Sequence, residues 1–115
     1  MKLTEHFTLE EMMASPTADA LGIENRITAA EVNNLQRLCR DVLEPLRQHF
    51  GKPVRINSGF RCKGLNAAVK GAARSYHLQG RAADIPWNKA HFDYIKSNLP
   101  HVELINEGGW IHVAL

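Results

Sequence analysis

In the stretch Ser75-Tyr76-His77-Leu78-Gln79-Gly80-Arg81-Ala82-Ala83-Asp84, an imidazole and a carboxylate stand seven residues apart around a glycine and two small alanines. Neutral imidazole and carboxylate oxygen are both good ligands for zinc. A catalytic zinc takes three protein ligands and keeps one position open for water. The stretch therefore reads as half of a metal site whose third ligand lies elsewhere. A zinc held this way lowers the pKa of its water to about 7 and polarises a carbonyl, which is the chemistry of amide hydrolysis.

The elements that position these side chains also point to the third ligand. Ala82-Ala83-Asp84-Ile85-Pro86 reads as a strand stopped by its proline, with Ala82 and Asp84 on one face. Val102, Leu104 and Trp110 to Val113 read as two strands around the glycine-containing turn Asn106-Glu107-Gly108-Gly109, a hairpin in which Trp110, His112 and Ala114 share a face. His112 is thus the natural partner of His77 and Asp84. His6, His49, His91 and His101 show no partner pattern and read as surface residues.

The first half of the chain is helical in pattern. Thr8-Leu9-Glu10-Glu11 is a capping box before Met12 and Met13, and Ser15-Pro16 stops this short helix; Thr17 to Gly22 has room for one more turn before a connector to Arg26. A second box, Thr28-Ala29-Ala30-Glu31, opens a long helix whose apolar residues run from Val32 through Leu35, Leu38, Cys39, Val42, Leu43 and Leu46 to Phe50, with Gly51 as its end. Pro45 predicts a kink or break near Asp41 to Pro45. Val54-Arg55-Ile56-Asn57-Ser58 alternates like a half-buried strand. Lys63 to Lys70 reads as a short helix with Leu65, Ala68 and Val69 on its apolar side, and Asn88 caps a helix reaching Pro100. The expected fold class is α+β, with N-terminal helices packed on a small, mostly antiparallel sheet.

At 115 residues the expectation is a single domain over residues 1–115 and a monomer. With 44% hydrophobic and 23% charged residues, composition points to neither disorder nor a membrane protein, and no apolar run approaches the ~20 residues of a bilayer span. The net charge of +2 comes from 14 basic and 12 acidic residues spread along the chain, so no basic stripe suggests nucleic acid. Met1 to Phe7 lacks an apolar segment with a cleavage site, so a cytoplasmic protein is expected unless another agent releases it. Cys39 and Cys62 read as two reduced structural thiols rather than a disulfide framework or a Cys-x-x-Cys zinc site.

Ser75-x-His77-x-x-Gly80-x-Ala82-x-Asp84 followed by Trp110-Ile111-His112-Val113 resembles the signature of the zinc D-alanyl-D-alanine carboxypeptidase family. That family also includes D-Ala-D-Ala dipeptidases, phage L-alanyl-D-glutamate endolysins and, in fold, the hedgehog signalling domain. Ser58-Gly59-Phe60-Arg61, Leu65-Asn66 and Leu43-Glu44-Pro45-Leu46-Arg47 are similar to its small single-domain branch, so the resemblance covers nearly the whole chain. It implies one Zn2+ held by His77, Asp84 and His112, and a peptide of the bacterial cell wall, peptidoglycan or its precursors, as substrate. For a phage lysin, release to the cell wall would follow.

The resemblance also implies roles for other residues. Arg61 matches the arginine that holds substrate and stabilises developing charge, which suits a permanently charged guanidinium. Ser75 is read either as contacting substrate or orienting a ligand, or as a local turn-stabilising hydroxyl. The family places a glutamate shortly before its last histidine. Here Glu107 is the general base, although strict alternation along the strand puts it on the face opposite His112 unless Gly108-Gly109 break the register; Glu103 is the fallback. Trp110 is read first as a body closing one end of the sheet and second as lining the site. The bond cleaved stays open between D-Ala-D-Ala, L-Ala-D-Glu and another D-amino-acid linkage, because pocket shape decides it. The competing reading is a non-catalytic, zinc-containing wall-binding or signalling module of the same fold, and a weaker one a purely structural zinc.

Overall fold

The computed structural model describes residues 1–115. Six α-helices and three strands follow one another as α1 Leu9–Met13, α2 Pro16–Leu21, α3 Ala29–Leu38, α4 Glu44–Phe50, α5 Lys63–Ala68, β1 Ala82–Pro86, α6 Lys89–Asn98, β2 Glu103–Asn106 and β3 Trp110–Ala114. The strands form one antiparallel sheet in the order β1-β3-β2. This is the α+β class expected from the sequence. No helix is long and apolar enough to cross a membrane.

Both capping boxes form. Thr8 N donates to Glu11 Oε1 at 2.8 Å while Glu11 N donates to Thr8 Oγ1 at 3.2 Å, and Thr28 N donates to Glu31 Oε1 at 2.9 Å. Pro16 does not merely stop α1. It occupies the start of α2, where its missing N–H is not needed, with Ser15 Oγ accepting from Ala18 N at 3.1 Å. Helices of five and six residues are unstable alone, so α1 and α2 depend on the burial of Met12 and Ala18.

The kink expected before Pro45 takes the form of a π-helical turn, Cys39–Leu43, between α3 and α4. There the Glu44 N–H reaches back five residues to Cys39 O. The wider turn makes room for the proline ring against the preceding carbonyls, and the chain winds on. The apolar stripe therefore continues: Leu35, Leu38, Cys39, Val42, Leu43 and Leu46 are fully buried against Ala83, Ile85, Ile111 and Val113 from one face of the sheet. Each such Leu or Ile stabilises the fold by roughly 1.5–3 kcal/mol. Cys39 is a free thiol whose pKa burial pushes up to about 12, and Cys62 is also free.

Two expectations need correction. Val54 to Ser58 is extended but joins no strand ladder; only Ser58 bridges to Asp84, because Pro53 lacks a donor and Gly59 turns the chain toward α1. On α5 only Leu65 is buried among the apolar residues; Ala68 and Val69 are exposed.

Candidate metal centre

The face of the sheet away from the core carries Asp84 and His112 as direct cross-strand partners on β1 and β3. Antiparallel partners share a face, so the two-residue period of each strand aims both side chains to the same side. His77 arrives from a 3-10 turn, Tyr76–Gln79, capped by Ser75, whose Oγ accepts from His77 N at 3.1 Å. The Ser75 oxygen thus serves the local turn, and the residue also lines the groove described below. Gly80 ends that turn at φ +70°, and a Cβ there would lie 2.5 Å from Glu31 O. Only glycine lets the turn sit against α3 in this conformation.

The other ring nitrogens explain why the site is ordered. His77, 1% exposed, donates Nδ1–H to Gly59 O at 2.6 Å, so its neutral ring presents the Nε2 lone pair, 3.1 Å from Asp84 Oδ1. His112 donates Nε2–H to Glu103 Oε1 at 2.8 Å, so its neutral ring presents the Nδ1 lone pair, also 3.1 Å from Asp84 Oδ1. Fixing one ring nitrogen on an acceptor is how proteins orient metal-binding histidines. The three inward atoms lie within 4.8 Å of one another. A tetrahedron with zinc bonds of about 2.0–2.1 Å has edges of roughly 3.3 Å, close to both 3.1 Å separations. Donor types, spacing and tautomers therefore fit one zinc ion.

A residue overlooked in the sequence holds the Gly59 carbonyl's neighbourhood in place. Asn25, in the stretch read as a connector, donates to Met13 O at 3.0 Å and Phe60 O at 3.1 Å, and accepts from Cys62 N at 2.8 Å. A Cβ on Gly59 would meet Met12 O at 2.2 Å, so this segment runs flush against α1. No local pattern marks Asn25, because its partners lie 12 to 37 residues away.

The site opens into a groove of about 410 Å³ whose walls carry Arg61, Ser75, Glu103, Glu107 and Trp110. Burial pulls the Arg61 guanidinium pKa down while Asp84 raises it, and the buried Arg61 Nε has no protein partner. Glu107 N donates to Trp110 O at 3.0 Å, continuing the β2–β3 register in which Ile105 faces His112. This overturns the expectation from strict alternation. Gly108 and Gly109 form the loop, so Glu107 lies opposite Trp110 and on the same face as His112. Trp110 is 41% exposed beside the groove, so lining rather than packing is its place. The remaining histidines stay out of the site: His6 pairs with Glu44, holding the N-terminal segment on α4, and His49 stacks on Tyr94. Glu5 completes a second cluster with His6 and Glu44, but three donors from His6 and Gln48 already occupy the Glu44 carboxylate.

With this geometry in view, comparison with known families is decisive. The family described as Peptidase M15 matches residues 5–114. The chain belongs to the M15 peptidases. These are zinc-dependent metallopeptidases, which agrees with the histidine and aspartate donors found here. No curated protein matches the chain.

The electrostatics of this M15 peptidase give a pH prediction with two limbs. Burial opposes ionisation of Asp84, but His112 and His77 outweigh it and hold the carboxyl at about 2, against 3.8 ordinarily. That difference is worth about 2 kcal/mol above the ordinary value and is lost as pH falls toward 2. His112 is shifted up, by Asp84 first and by Glu103, against burial. Its stabilisation is complete below about 6.5 and is lost as pH rises through the raised value. Chelator-treated protein should therefore melt lower at pH 9 than at pH 6 from this group. With zinc the basic limb should reverse, since the metal displaces the His112 proton and binds better as pH rises. Thermal melts from pH 2 to 9, with and without zinc, check both limbs.

Proposed function

We propose that this M15 peptidase hydrolyses an amide bond in peptidoglycan stem peptides, with His77, Asp84 and His112 holding one zinc ion. The observation that carries the reading is the convergence of His77 Nε2, Asp84 Oδ1 and His112 Nδ1 at the floor of an open groove, each histidine's other nitrogen being tied to an acceptor. Zinc in this set supplies a Lewis acid for the carbonyl and makes water nucleophilic near neutral pH.

The chain's own residues do the rest. Glu103 is engaged with His112, which makes it an orienting partner, whereas Glu107 stands exposed on the groove wall as the carboxylate free to handle a proton. As water adds to the carbonyl carbon, Glu107 takes its proton and then delivers it to the amide nitrogen while the C–N bond breaks, leaving a carboxylate and an amine. Arg61, permanently charged and with an unpaired Nε, faces the negative charge that develops on the carbonyl oxygen or the substrate's carboxylate. Ser75 lines the same groove while capping the turn that presents His77, and its hydroxyl hydrogen remains available to substrate.

Digestion of purified muropeptides by the zinc-loaded protein, read by mass spectrometry, is expected to yield one new amine and one new carboxylate at a single linkage. The mass of the fragments identifies D-Ala-D-Ala, L-Ala-D-Glu or another bond. No product across several wall chemistries would favour the non-catalytic wall-binding module instead.

A further inference from the structure

The groove is polarised. Its hairpin wall carries Glu103 and Glu107, while the segment between α5 and the His77 turn carries Lys70 and Arg74, with Arg61 beside them. Arg26, Arg40 and Lys89 elsewhere on the surface are each paired with a nearby carboxylate. Lys70 and Arg74 have no carboxylate partner, as holds for most of the chain's 14 basic residues, but they lie in the groove beside Arg61, whose buried Nε lacks any acceptor.

The segment bearing them is built rather than loose. Lys70 sits at φ +59°, a left-handed conformation that costs a non-glycine residue about 1 kcal/mol and persists only when its surroundings impose it. The buried Asn66 imposes it: its side chain donates to Ala72 O at 2.9 Å and its carbonyl accepts from Gly71 N at 2.8 Å. A Cβ on Gly71 would fall 2.1 Å from Asn66 Oδ1, so the loop closes directly over that side chain.

We propose that Lys70 and Arg74 form an anion subsite that seats a free carboxylate of the peptide substrate on the wall opposite Glu107. This rests on the reading of the groove as a peptide cleft. Opposite charges on the two walls orient an acidic peptide in one sense only, because its carboxylate is attracted by one wall and repelled by Glu103 and Glu107 on the other. A neutral peptide gains nothing from either.

The test uses a synthetic stem-type peptide containing D-Glu and ending in D-Ala-D-Ala, prepared with both carboxylates free, with the side-chain carboxylate as carboxamide, and with the C-terminus as carboxamide. Binding to the chelator-treated full chain, where no turnover interferes, is measured by calorimetry for the wild type, the double variant Lys70→Gln/Arg74→Gln and the control Lys63→Gln. All three substituted positions are exposed, so folding is retained. One of the two amidations should weaken wild-type and Lys63→Gln binding by about tenfold or more, as loss of a charge-assisted hydrogen bond does. The double variant should lose sensitivity to that one amidation, binding the free and amidated forms within twofold, and the sensitive amidation identifies which carboxylate is seated. Equal binding of the three peptides to the wild type, discrimination retained in the double variant, or no binding at all would each overturn the subsite. Absence of hydrolysis by the zinc-loaded wild type, with carboxylate-dependent binding intact, would instead overturn the peptidase reading and leave the subsite standing.

Discussion

Glu107→Gln is expected to lower hydrolysis by about 10²–10⁴-fold, the usual contribution of a positioned general base, while leaving zinc content unchanged. Glutamine keeps the shape and the hydrogen-bonding reach of the side chain but cannot accept the proton of the attacking water. The residue sits on the groove wall opposite Trp110 and is not among the three converging donors, so the metal site should survive the exchange. Glu103→Gln should behave differently. An amide oxygen still accepts from His112 Nε2, but with less negative charge, so the larger effect falls on metal affinity, on the order of tenfold. Parallel measurement of kcat and zinc content for the two variants separates a proton-transferring residue from an orienting one. A Glu107→Gln protein with unchanged turnover would move the base to another carboxylate.

His77→Ala should abolish stoichiometric zinc binding and hydrolysis and destabilise the protein even without metal. Three losses combine at this position. The ligand nitrogen goes; Gly59 O loses its donor at 2.6 Å in a buried setting; and a side chain that is 1% exposed leaves a cavity behind it. Large-to-small changes at such sites cost about 2–5 kcal/mol. In the wild type, zinc at a thousand times its dissociation constant adds about 4 kcal/mol, since the unfolded chain has no preformed site. For a chain of this size that corresponds to a melting temperature raised by on the order of 10 °C. Calorimetry with and without chelator provides the check: the wild type should drop, and His77→Ala should melt lower and ignore the chelator. Equal wild-type melting temperatures in the two conditions would count against the metal site itself.

The local geometry of the site was legible in the sequence to an unusual depth, for reasons that can be named. Asp84 and His112 could be matched because a strand has a period of two and a hairpin brings its neighbours into one sheet, and the structure places them as direct partners. Gly80 could be recognised as special by its place between His77 and Asp84, although the contact that excludes a side chain, with Glu31 O on α3, could not. Pro45 announced a disturbance of the long helix but not its form, because a kink, a break and a π-helical turn all answer the same missing donor.

Glu107 shows where counting residues fails. Parity carried through the turn sets it against His112, whereas pairing across the two-glycine loop sets it beside Trp110 and on the same face as His112. Turn geometry, not alternation, decides which face a residue near a hairpin end presents. Val54 to Ser58 fails in a related way: its alternation reflects Val54 and Ile56 touching the core, while ladder formation depends on a partner edge that only Asn57 and Ser58 reach, both at Asp84.

By itself, then, the sequence determined the α+β class, the capped helices, and the pairing of His77 and Asp84 with a histidine on the last strand, all consequences of short-range periodicity and residue chemistry. Only the tertiary structure decided which carboxylate orients His112 and which stands free, that Asn25 holds the segment behind His77, and that Lys70 and Arg74 line the same groove as Glu103 and Glu107. Those choices rest on contacts between side chains and carbonyls far apart in the chain, whose partners no local pattern specifies.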